Sequence, residues 1–197
     1  MEARAVSLWQ NKMGLIRAKI IIIPLGEVDF VLLNKVSAKL ISYFGVDVDM
    51  AQGAKLAEEA FNPTRGQYYS TVILNKLELL KNTSRELTLG ITEEDLYIPS
   101  LNFVFGEADP IAKVAIVSTF RLKQENYSFL DTEELFFSRV LKEAVHQLGH
   151  LVGLLHCNNP KCAMYFCNSL AEVDKKNGRF CDNCMRRLYK TVPTSML

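Results

Sequence analysis

The sequence predicts an α/β protein: a mixed, mostly parallel twisted sheet with flanking helices, followed by a small C-terminal subdomain of different chemistry. Three observations predict it. Apolar runs of strand length alternate with stripes of helical spacing as far as Gly153, the run at residues 20–23 is four consecutive isoleucines, and all five cysteines fall after residue 156. Strands that alternate with helices favour a parallel sheet covered on both faces.

Lys19–Leu25 reads as a fully buried strand, because the isoleucines combine β-branching with no polar face. Val28, Val31, Leu32, Val36, Leu40 and Ile41 recur at helical spacing over residues 28–43, and Gly45 stands where a helix C-terminus favours positive φ. Residues 46–50 alternate as a second strand. Tyr69, Val72, Ile73, Leu77 and Leu80 place a helix over residues 65–80, followed by a strand at 87–92. Residues 102–105 and 112–119 read as two further strands at the antiparallel margin, joined by a turn at 106–110. Asp131, with Glu134 three residues on, resembles a capping box opening a long helix whose inward stripe is Leu135, Phe136, Val140, Leu141, Ala144, Val145 and Leu148. Beyond Gly153 the periodicity fails, so the chain divides into residues 1–156 and a tail, 157–197, too short and loop-rich to hold together by apolar burial alone.

At 197 residues, 49% apolar and 23% charged, the chain can bury a core and is not a disordered polymer. A formal charge of +1 excludes a strong overall attraction to nucleic acid or anionic membrane. The tail, however, carries seven basic against three acidic residues. No apolar run reaches the roughly 18 residues of a membrane span, and residues 20–25 make no secretory signal, so the expectation is a cytoplasmic protein. Under reducing conditions an odd number of cysteines is better used on metal than in disulfides.

The three histidines of the chain, His146, His150 and His156, lie within eleven residues. Four apart on a helix, His146 and His150 share a face one turn apart and can bind one metal ion. Gly153 permits the left-handed turn that ends the helix and returns His156 to the same ion. Three imidazoles and an open fourth position describe a catalytic zinc site. Cys181 and Cys184 form a CxxC knuckle, and the spacing leaves Cys157, Cys162 and Cys167 as candidates for the other half of a four-thiolate zinc site. Such a site carries −2, which the basic tail would offset. A nucleic-acid-binding zinc ribbon is the weaker reading of the same basic residues, since no run of aromatics accompanies them.

HQLGHLVGLLH resembles the HExxHxxGxxH signature of the metzincin zinc peptidases, and the cysteines that follow His156 resemble the archaemetzincin pattern. This resemblance implies a metzincin-like fold, peptide-bond hydrolysis at a zinc held by His146, His150 and His156, a second zinc on Cys157, Cys162, Cys181 and Cys184, and a methionine turn at Met164 beneath the histidines. It leaves Cys167 as a spare thiol, and the implied substrate is a peptide in extended form, paired with an edge strand at 102–105 or 112–119. Gln147 departs from the pattern. In the family a glutamate there takes a proton from zinc-bound water, which a glutamine cannot do at neutral pH. Glu143 lies on the same stripe, but helical side chains lean toward the N-terminus and carry it away from the metal. The reading is therefore a zinc metallopeptidase of reduced activity, with a catalytically silent zinc-dependent peptide-binding protein as the alternative.

Overall fold

The computed structural model describes residues 19–123 and 132–191. Strand β1 (Lys19–Leu25) lies inside a five-stranded sheet, where its side chains alternate between two cores: Ile20 and Ile22 enter one, Ile23 and Leu25 the other. Burial on both faces is why the run has no polar alternation. Strands β2 (Val48–Met50), β5 (Glu86–Thr92) and β8 (Val114–Ser118) run parallel to it, and β7 (Gly106–Asp109) closes one margin antiparallel to β8. The order across the sheet is β2, β1, β5, β8, β7. A mixed, mostly parallel sheet is thus present as expected.

Helix α1 (Phe30–Phe44) begins where the Asp29 carboxylate accepts the Val31 N–H at 2.8 Å and ends at Gly45. Together with α3 (Glu133–Leu151) it covers one face of the sheet, while α2 (Ser70–Leu79) supplies Ile73, Leu74 and Leu77 to the other.

Several expectations fail here, most of them through long-range pairing. The helix expected over 65–80 starts only at Ser70, because Gln67–Tyr69 is a strand, β4, held between β3 (Phe61–Asn62) and β6 (Leu96–Tyr97) in a second, three-stranded sheet. Residues 102–105 form no strand beyond an isolated bridge from Val104 to Leu96. The segment expected as a turn, Gly106–Asp109, is itself the marginal strand. Its composition hides it: only Ala108 packs on the core, while Glu107 turns its carboxylate onto Ser70 Oγ (2.5 Å) and Thr71 Oγ1 (2.9 Å). Val114–Ser118, between β5 and β7, offers no free edge to a peptide.

The tail contains two helices that its periodicity did not announce, α4 (Leu170–Lys175) and α5 (Asp182–Thr191). Its Met164, Val173, Phe180 and Leu188 share the core of α1 and α3. The Phe180 N–H also donates to the Tyr43 hydroxyl of α1 at 2.9 Å. Among the described residues no helix is long and apolar enough to cross a membrane.

Candidate metal centres

The helix that carries the first centre is capped by Thr132, whose hydroxyl accepts the Leu135 N–H at 3.2 Å; Asp131, expected in that role, lies outside the described residues. Val140, Ala144, Val145 and Leu148 are buried against the sheet and α1, which fixes the rotation of α3 and points His146 and His150 away from that core. The helix stops at Gly153 (φ +89), a conformation that side chains with a Cβ rarely adopt. The chain then turns back, and the three imidazoles converge with their ligand nitrogens within 4.8 Å of one another.

Two backbone carbonyls orient this cluster. His146 Nδ1 lies 2.7 Å from the Ala163 oxygen and His150 Nδ1 lies 2.8 Å from the Leu154 oxygen. A carbonyl only accepts, so each Nδ1 carries the proton and each Nε2 presents a lone pair. The two Nε2 atoms stand 3.2 Å apart, close to the edge of about 3.3 Å that a tetrahedron of Zn–N bonds requires. Burial pushes the His146 pKa down to about 3, despite the opposing charge of Glu143, and His150 and His156 are lowered for the same primary reason. All three rings are thereby kept neutral, as metal ligands must be.

The Ala163–Met164 turn runs beside the helix, with the Ala163 carbonyl on His146. Met164 is fully buried, and its carbonyl accepts the Cys157 N–H at 2.9 Å. Gly149 admits it: a Cβ there would come within 2.3 Å of Met164 Sδ and 2.9 Å of the Phe180 ring. Sequence reasoning missed this glycine, whose only signal was its place one residue before the second helical histidine.

Cys157, Cys162, Cys181 and Cys184 form the second centre, with their sulfurs within 4.8 Å of one another. The Cys157–Cys181 and Cys162–Cys184 separations are both 3.7 Å, the edge of a tetrahedron of Zn–S bonds of about 2.3 Å. The knuckle opens α5, so the Cys184 N–H and the neighbouring thiols draw the Cys181 pKa down to about 7 against the effect of burial. Burial raises Cys162 to about 11 and raises Cys184 as well, so the four thiols do not all ionise until a cation joins them. Cys167 stands apart from this cluster, its sulfur 3.7 Å from the Tyr165 oxygen.

A cavity of about 290 Å³ opens over the imidazoles. Its walls are the marginal strand β7, the apolar side chains Phe103, Phe105 and Phe166, and Glu143 and Gln147 of α3. Glu143 does not join the histidine cluster, yet it is not turned out of the site: its Oε1 accepts the Gln147 Nε2–H at 3.0 Å and its Oε2 lies 3.6 Å from Lys176 Nζ. Burial pushes its carboxyl up, but His146, Lys176 and the Gln147 amide more than offset this, and the carboxyl sits below its ordinary value.

The sequence profile of Peptidase family M54 matches residues 27–190. The archaemetzincin of Methanocaldococcus jannaschii is 39% identical over 170 residues, covering 86% of this chain and 92% of the relative. The chain belongs to peptidase family M54. By family it is a zinc metallopeptidase, and the M54 fold is repeated in solved structures. The archaemetzincin of Methanopyrus kandleri superposes with a TM-score of 0.79 at 36% identity over 89% of this chain and 95% of that one. The archaemetzincin of Archaeoglobus fulgidus, solved with malonate, gives 0.75 at 37% identity over 86% and 99%. A zinc-dependent peptidase of Methanocorpusculum labreanum gives 0.79 at 33% identity over 86% and 99%.

Proposed function

We propose that the chain hydrolyses peptide bonds at a zinc held by His146, His150 and His156, that a second zinc on Cys157, Cys162, Cys181 and Cys184 staples residues 157–197, and that each chain therefore carries two zinc ions. The observation that carries the reading is the convergence of three neutral imidazoles at the floor of an open cavity, with no fourth His, Cys, Asp or Glu grouped with them among the described residues. Zinc held there polarises a carbonyl oxygen and activates water. An extended peptide fits along Gly106–Asp109, which pairs with β8 on one side only and lines the cavity. Main-chain pairing of that kind reads backbone, so discrimination falls to the apolar wall of Phe103, Phe105 and Phe166.

Gln147 lacks the carboxylate that would move a proton in each step, and positioned acid–base catalysis contributes about 100- to 10,000-fold. Turnover by this chain is accordingly low. Gln147→Glu raises peptide turnover at least tenfold with zinc content unchanged at two per chain, measured by elemental analysis beside cleavage of a peptide library. Equal, slow cleavage by parent and variant overturns the role of position 147, and fewer than two zinc ions in carefully prepared protein overturns the ligand sets. Zinc-dependent peptide binding without product, in both proteins, would instead establish a silent binding protein.

A further inference from the structure

Glu143 and Lys176 are 4% and 3% exposed, and they face each other across 3.6 Å. Neither Glu143 Oε2 nor Lys176 Nζ makes a hydrogen bond in the structure. Two apolar side chains of similar size commonly stabilise a protein as well as such a buried pair, or better. Stability alone therefore does not account for it, and the position of Glu143 at the wall of the imidazole cavity points to the site.

The other oxygen of Glu143 accepts Gln147 Nε2. A carboxylate only accepts hydrogen bonds, so the carboxamide has one orientation open to it here. Its Nε2 lies toward Glu143 and toward Gly106, where an added Cβ would come within 2.7 Å of it. Planarity then directs Oε1 away from Glu143, and among the described residues this oxygen has no hydrogen-bond partner. Gln147 lines the cavity with His146, His150 and His156.

We propose that Glu143 is a positioning residue: paired with Lys176, it locks the Gln147 carboxamide so that Oε1, an acceptor, and not Nε2, a donor, is offered to a water over the three imidazoles. The inference rests on the hydrolytic reading of that site. It gives a chemical role to a glutamine in a carboxylate's place, since the locked amide keeps the acceptor and loses only the ability to take a proton. Released from Glu143, the amide presents a donor part of the time and competes for the water's lone pair.

The test uses the full zinc-loaded chain with its glutamine side chains labelled with nitrogen-15. The Gln147 amide signal, assigned by its loss in Gln147→Glu, is expected to exchange its protons with solvent at least tenfold more slowly than that of exposed Gln52. In the double variant Glu143→Leu/Lys176→Met, which replaces the pair by apolar groups of similar size, this protection falls tenfold or more while the melting temperature holds or rises. Its kcat for a peptide substrate falls with KM unchanged. The isosteric Glu143→Gln supplies a second measurement, with protection reduced threefold or more. An unprotected Gln147 amide in the parent, or protection retained in both variants, overturns the proposal. The amide signal decides this even if the parent cleaves no peptide, a result that would strike the hydrolytic reading alone.

Discussion

His156 and Cys157 are neighbours in the chain, yet the clusters they join are held by different means. Two of the three imidazoles stand on a helix of 19 residues whose inward stripe is packed against the sheet, and backbone carbonyls orient them. The four thiols come from turns and from the start of a 10-residue helix, in a segment whose apolar contribution to the core is a handful of side chains. On the proposed reading, the first centre is expected to keep its shape without metal, because packing and backbone hydrogen bonds hold it, and the second to need its metal for turns that burial alone would not hold. The shared dipeptide would then couple them: a tail that loosens at Cys157 is expected to release His156 from the first centre.

The largest expected effect breaks that coupling. Cys184→Ala, at a fully buried position of the four-thiol cluster, is predicted to lower the melting temperature by on the order of 10 °C and to open the chain to proteolysis after His156. Zinc content falls below one per chain. His150→Ala removes metal from the first centre alone, so a Cys184→Ala protein that keeps its full zinc complement and its protease resistance would show that the two regions do not differ in this way.

Acid is the next largest. His146 has a pKa lowered to about 3 from 6.5, so its contribution is fully present above about pH 6.5 and is lost as the pH falls toward 3. The lowered Glu143 acts in the same direction below its ordinary value of 4.5. Melting temperature and zinc retention, followed from pH 7 to 3, should decline together, with His146 alone costing about 1.4 kcal/mol of stability per pH unit. A flat profile through this window contradicts the buried neutral imidazoles.

Smaller still is Gly149→Ala. The added methyl meets Met164 Sδ and Phe180, and overpacking of this kind costs about 1–3 kcal/mol. Thermal melting reads that loss, and an unchanged midpoint would mean that the methionine turn is free to shift. Cys167→Ser sets the lower bound: the thiol lies outside the four-sulfur cluster, so zinc content stays the same and stability changes by less than about 1 kcal/mol.

Segments governed by local rules were legible. Four consecutive isoleucines mark a strand buried on both faces, and β1 spans the expected residues. The apolar stripe and Gly45 mark a helix and its end, while its start lies at Phe30, beyond the Asp29 cap, and not at residue 28. Segments governed by partners distant in the chain were not: Gln67–Tyr69 carries a helix-like stripe into a strand because Phe61–Asn62 and Leu96–Tyr97 pair with it. Gly106–Asp109 has the composition of a turn, and Val114–Ser118 makes it a strand.

Residue identity and spacing by themselves determined that the histidines meet, through an i, i+4 pair on one helix face and a glycine that reverses the chain, and that Cys181 and Cys184 pair, while leaving Cys157, Cys162 and Cys167 open as their partners. These are local consequences of helix pitch and turn sterics. Only the tertiary structure decided what surrounds them. That Glu143 faces Lys176 from 33 residues away, that Ala163 lends its carbonyl to His146, and that Met164 slides under Gly149 all depend on where the folded tail comes to rest on α3. Such contacts follow from the packing of whole surfaces, a property no window of neighbouring residues contains.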